Sequence, residues 1–130
     1  NGTSDIRWET INAGLGNAKN VMEYFPTIQF YDYTKIANRR DLPANYHLTF
    51  SLAESNAVDA WRAMVNGMNV AVVFKAVPSI YNILPDNLLS SDHKVINGDE
   101  SDLRFLDPKH VVVGLKAKGK AKKDTSGFVK

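Results

Sequence analysis

Cysteine does not occur in this chain, which excludes a disulfide framework and any thiolate metal site built from these residues. That absence suits a reducing cytosol, so a cytoplasmic setting in a host cell is expected. Long apolar runs are missing too. The stretches "VAVVF" (Val70 to Phe74) and "VVVGL" (Val111 to Leu115) fall far below the roughly eighteen residues that span a bilayer. No signal-peptide pattern opens the chain, and no membrane association is expected. Excess charge of one sign is lacking as well. Sixteen Lys and Arg stand against fourteen Asp and Glu, a formal net charge of +2, so overall charge does not imply nucleic-acid binding and only local clustering can argue for it. There is also no initiator Met. The opening "NGTSDIRW" begins with turn residues, as the C-terminal part of a longer or processed protein would.

Motifs that name a reaction are equally scarce. His47, His93 and His110 fall in separate segments without metal-ligand spacing, and no HExxH-like pair exists. Ser51 lies in no nucleophile elbow. The glycines of "GLGN" (Gly14 to Asn17) precede a helix but lack GxGxxG spacing and a Walker lysine, so a plain turn is favoured over a phosphate cradle. No metal and no cofactor are expected.

What remains is a pattern of alternating elements. The chain has 130 residues, 44% of them hydrophobic and 23% charged, which fits a single domain over 1–130 with a real core. "AKNVMEYF" (Ala18 to Phe25) predicts a short helix with Val21, Met22 and Phe25 on its apolar side, stopped by Pro26. "TIQFYDY" (Thr27 to Tyr33) and "YHLTFSL" (Tyr46 to Leu52) read as strands, joined by a compact crossover, "TKIANRRDL", and the turn "LPAN". "ESNAVDAWRAMVNG" is the clearest helix. It sets Ala57, Ala60, Trp61, Met64 and Val65 on one stripe, with Ser55 or Asn56 to cap its start and Gly67 to end it. "NVAVVF" follows as a strand buried on both faces.

From Pro78 to Pro108 periodicity is lost, and such a long irregular excursion is commonly functional. "HVVVGLKAK" resumes as the last strand. The order implies an α/β fold with a mainly parallel sheet, either a partial TIM-barrel-like unit or an open α/β unit, with a long irregular loop before the last strand. Periodicity does not separate a half barrel from an open sheet.

In parallel α/β folds the loops leaving the strand C-terminal ends open on one rim, where functional groups gather. The candidate ligand-binding residues are therefore Asp5, Asp32, Lys35, Ser51, Glu54, Asn56, Lys116 and Lys118. Thr3 and Ser4 would accompany Asp5, and Lys75 would leave the third strand. Ser51, Glu54 and Asn56 read better as residues that start and cap a helix than as a site. Asp32 interrupts an otherwise apolar strand.

The stretch Val95 to Asp124 gathers four acids in nine residues (Asp99, Glu100, Asp102, Asp107), then five lysines in the eight residues from Lys116 to Lys123. Asp99 and Asp102 offer oxygen to a hard cation. Loop scaffolding is the favoured role, with Arg104 and Asp107 close enough to pair with these acids and hold the loop. In an extended "KAKGKAKK" tail, Lys116, Lys118 and Lys120 project from one side as a comb suited to phosphates; residues 116–130 also read as a basic, mobile terminus.

The strings "FYDYTKIANRRDLPANYHLTFSLAESN", "GMNVAVVF" and "INGDESDLRFLDPKHVVVGLKAKGKAKKDTSGFV" resemble the C-terminal region of an uncharacterised bacteriophage protein family, over nearly the whole chain. That resemblance implies further N-terminal sequence with cysteines elsewhere in the family. A weaker likeness is to phage proteins with a radical-SAM-like half barrel, carried by Tyr33, Thr34, Lys35, Arg39 or Arg40, Leu42, Pro43 and Asn45. It implies barrel-like architecture without radical chemistry, because the cluster-binding cysteine motif is missing.

These readings converge on a phage-encoded domain that binds a phosphate-bearing ligand, nucleic acid or nucleotide, at the strand-end rim, the lysines holding phosphate. The alternative is an interaction module that binds and inhibits a host defence protein through the 78–108 loop, with Tyr81, Ile83, Leu84, Leu88 and Leu89 as anchors. A third reading is an enzyme whose site is complete only in a longer protein.

Overall fold

The computed structural model describes residues 5–76 and 93–130. Thr3, Ser4 and the five anchors expected between Tyr81 and Leu89 lie outside the described residues.

Among the described residues five strands form one sheet in the order β1-β2-β3-β5-β4, where β1 is Phe30–Thr34, β2 Tyr46–Ser51, β3 Asn69–Phe74, β4 Val95–Asn97 and β5 Val112–Lys116. Every pairing is parallel. Among the described residues β1 and β4 are the outer strands, so the fold is an open α/β unit and not a closed barrel. β4 was not expected. At three residues it is too short to show periodicity, and it lies inside the stretch read as irregular.

Helix α1 covers Val21–Tyr24 only, shorter than the helix expected from Ala18. Asn20 is fully extended (φ −153°, ψ 175°) and caps the helix by accepting from Glu23 N, while Glu23 Oε2 accepts from Lys19 N at 2.9 Å. This reciprocal cap fixes the start three residues late. Strand β1 also starts late, at Phe30 and not Thr27. The Asn45 side-chain amide reaches the carbonyls of Met22, Phe25 and Ile28 at 3.1, 3.1 and 2.9 Å, which holds that segment as a turn.

Helix α2 (Ala57–Val65) buries Ala60, Ala63 and Met64. Small alanines let the helix lie close on the sheet, so its buried stripe is rotated from the expected one and leaves Trp61 55% and Val65 65% exposed. Gly67 (φ +90°) ends the helix. Its N–H donates to Met64 O and that of Met68 to Ala63 O, at 3.0 and 2.9 Å, a Schellman turn in which glycine relieves the left-handed strain.

The main core joins α1 and α2 to one sheet face, through Met22, Ala60, Ala63, Met64, Leu48, Phe50, Val70, Val72 and Val112. A smaller cluster of Ala71, Val111 and Val113 with Ile96 and Leu115 lies on the other face. Strand β3 contributes to both, as its continuous apolar run requires. After β5, Gly119–Lys123 forms a 3-10 turn, and Val129 makes a parallel bridge to Val73. Val129 and Lys130 thereby take the side of β3 that β2 leaves free beyond Ala71. Among the described residues no helix is long and apolar enough to cross a membrane.

Candidate functional site

The connection after β2 is α2, on the main-core face. The connection after β4, residues 98–111, crosses the opposite face: a Cβ on Gly98 would meet Val113 and Leu115, and Phe105 packs on Tyr31 with ring centroids 5.4 Å apart. The C-terminal ends of β3 and β5 lie between strands whose connections leave on opposite faces. In open parallel sheets ligands gather at the C-terminal ends of the strands.

The residues at that point are basic. Lys75 follows β3, and Lys116 and Lys118 end or follow β5; all three are exposed. The backbones of the two strand ends are joined, since Ala117 N donates to Phe74 O at 2.8 Å, and Lys75 N donates to Lys130 O at 3.0 Å. Asp99, in the turn after β4, accepts from Lys116 N at 2.7 Å and from Lys118 Nζ at 2.8 Å. The Lys118 hydrogen bond, then that from Lys116 N, holds the Asp99 carboxyl below its ordinary pKa, and the same contact pushes Lys118 up. Asn97 fixes the turn by accepting from Asp99 N at 3.1 Å. Asp124 is occupied elsewhere. It accepts from Ser126 Oγ at 2.6 Å and from Val129 N at 3.1 Å, shaping the segment that returns to β3.

The expected site residues fall into separate groups. Lys116 and Lys118 come together as described. Lys35 lies at the end of edge strand β1, three strand spacings or about 14 Å from the end of β5. Asp5 also sits at β1, where its carboxylate accepts from Thr34 Oγ1 at 2.9 Å and pairs with Arg39 at 3.4 Å. Its oxygens serve the fold. Asp32 lies inside β1, accepting from Tyr33 N at 2.9 Å. Asn56 donates to Ser51 O at 3.1 Å and accepts from Ala53 N at 2.7 Å. It therefore ends β2 at Ser51 and makes no side-chain cap on α2. Glu54 is exposed. Lys120 lies in the 3-10 turn, so the tail is not the extended comb expected.

Two buried arginine clusters were not foreseen as such. Arg39 is 3% exposed, donates from Nε to Glu9 Oε1 at 2.9 Å, pairs through Nη2 with Glu9 Oε2 and reaches the Tyr46 hydroxyl at 3.2 Å. Burial opposes its charge, but the Glu9 and Tyr46 hydrogen bonds outweigh that and raise its pKa. Nothing in "NRRDL" distinguishes it from exposed Arg40. Arg104, expected to pair with the acids of the turn, meets Asp107 at 3.4 Å. Arg104 is 1% exposed and donates to the carbonyls of Gly98 and Ser101. Burial raises the pKa of Asp107 and of Tyr33 and lowers that of His47, all grouped around this guanidinium. Among the described residues no group of three His, Asp or Glu is placed to hold a metal ion.

A family model described as Gene product 88 matches residues 1–130, the full chain. No curated protein and no solved structure matches. The bacteriophage-type family resemblance thus extends over the whole sequence, whereas the likeness to radical-SAM half barrels finds no support.

Proposed function

The chain belongs to the Gene product 88 family, and from that premise, which names no reaction, we propose that it binds a phosphate-bearing ligand, nucleic acid or nucleotide, at the C-terminal ends of β3 and β5. One observation carries the reading: Lys75, Lys116 and Lys118 stand at the C-terminal ends of the adjacent strands β3 and β5, with Asp99 anchoring Lys118 at 2.8 Å. Ammonium groups on neighbouring strand ends attract phosphate by charge, and they do so without reading sequence.

The site in this proposal is narrower than the rim expected from sequence. Asp5, Ser51 and Asn56 have structural partners, and Lys35 lies at the end of the edge strand β1. A reducing cytoplasm is the setting that a chain without cysteine suits. The test is fluorescence anisotropy with single-stranded and duplex DNA and RNA at two salt concentrations. Binding that weakens steeply with salt supports the proposal. A folded protein that binds none of them at low salt contradicts it.

A further inference from the structure

Helix α2 has a second apolar stripe. Opposite its buried alanines, Val58, Trp61 and Val65 are 65%, 55% and 65% exposed, and the spacing of three and four residues sets them on one helix face. Beside them lies a cleft of about 360 Å³ lined by Asn38, Arg40, Trp61, Arg62, Val65 and Asn66. A second cleft of about 270 Å³ shares Asn38 and Arg62 with it and adds Lys35 and Asp59. The ground between helix and crossover is fixed, because Asn66 Nδ2 donates to Ala37 O at 3.3 Å.

The charge around these clefts is unbalanced. Lys35, Arg40 and Arg62 face one acid, Asp59, which already pairs with Arg62 at 3.3 Å. An exposed tryptophan flanked by arginines suits either nucleic acid or protein. The two valines decide between them: they offer no surface for base stacking, whereas they extend the apolar contact that a protein segment needs. The stripe spans only two helical turns, well below the roughly 800 Å² per partner of a stable interface. That favours a short segment over a second copy of this chain.

We infer that the Val58, Trp61 and Val65 face of α2 docks a short acidic, amphipathic segment of another protein, its apolar side in the Trp61 cleft and its carboxylates on Arg40 and Arg62. This surface is separate from the lysine group at the β3 and β5 ends, so either assignment can fail without the other. It differs also from the loop anchors considered as a host-binding surface.

Trp61 and Trp8 are the two tryptophans, so the full chain carrying Trp8→Phe reports on Trp61 alone. Two helical peptides of about 15 residues with the same Leu and Phe stripe are titrated against it, one flanked by Glu and one by Lys, together with a single-stranded oligonucleotide. The acidic peptide should shift Trp61 emission to the blue and bind at least tenfold more tightly than the basic one. Arg40→Glu with Arg62→Glu should remove that preference, and Val65→Glu should abolish binding while the circular dichroism spectrum stays unchanged. No response to the acidic peptide, equal response to both peptides, a Trp61 response only to the oligonucleotide, or an emission shift that follows protein concentration alone would each overturn the inference.

Discussion

Lys118 Nζ and Asp99 Oδ1 meet at 2.8 Å, joining the segment after β5 to the turn after β4. Asp99 also takes the N–H of Lys116 at 2.7 Å, so one carboxylate sets both lysines. It positions them and offsets part of their charge. Asp99→Asn keeps the shape and an acceptor for Lys116 N while removing the negative charge. If phosphate binds here, the variant should bind single-stranded DNA severalfold more tightly at low salt, with the gain shrinking as salt rises. Anisotropy at two salt concentrations measures it, and weaker or unchanged binding would assign Asp99 a different role.

Arg39 has no exposed side-chain surface and shares Glu9 and Asp5, so it depends on them for its charge. Glu9→Gln should destabilise the fold toward the lower end of about 3–5 kcal/mol, the cost of breaking a buried pair, because Asp5 still faces the guanidinium. Arg39→Met combined with Glu9→Gln should recover part of that loss, since no buried charge is then left unpaired. Urea unfolding of the three proteins decides it; equal stability of Glu9→Gln and the parent would contradict the coupling.

Gly98 is required for lack of volume, since its Cβ would lie 2.5 Å from Val113 Cγ1 and 2.6 Å from Arg104 Nη1. Gly98→Ala must displace a core valine or the buried guanidinium, and overpacking of this kind costs about 1–3 kcal/mol. Thermal unfolding should show the loss. A melting temperature equal to the parent's would mean that the turn moves aside freely.

His47 is held below its ordinary pKa of 6.5 by burial and then by the Arg104 charge, with Asp107 opposing. A depressed folded-state pKa means that the unfolded chain takes up the proton more readily. The stability contributed by neutral His47 is therefore complete above about pH 6.5 and is lost as pH falls through that value toward the folded pKa. Asp107 has the opposite sign, because its raised folded pKa adds stability as pH falls toward the ordinary carboxyl range. His47→Gln should flatten the decline between about pH 7 and about pH 5. Urea midpoints across that range test it, and an unaltered slope would remove His47 from the account.

The parallel α/β plan was legible because β3 carries an unbroken apolar run between a helix and a glycine-poor segment, and because strand and helix periods alternate clearly up to Phe74. Strand β4 was not, since three residues express no period and its place is set by pairing with Val112, Val113 and Gly114. The apolar stripe of α2 was placed on the wrong neighbours because Trp61 and Val65 outrank alanine in hydrophobicity, while close approach to the sheet selects Ala60 and Ala63. At the rim, sequence named Lys116 and Lys118 correctly as neighbours of the last strand end. It did not show that Asp5 would be consumed by Thr34 and Arg39, because that contact spans some thirty residues of chain and leaves no local mark.

The most direct test compares the parent chain with Lys75→Ala, Lys116→Ala and Lys118→Ala combined, measuring single-stranded DNA affinity across a salt series. The account predicts weaker binding and a slope of log K against log salt that is shallower by about two units, near 0.7 for each phosphate that is no longer neutralised. A triple variant that is folded and binds with the parent's affinity and slope would contradict the placement of the phosphate site at the ends of β3 and β5.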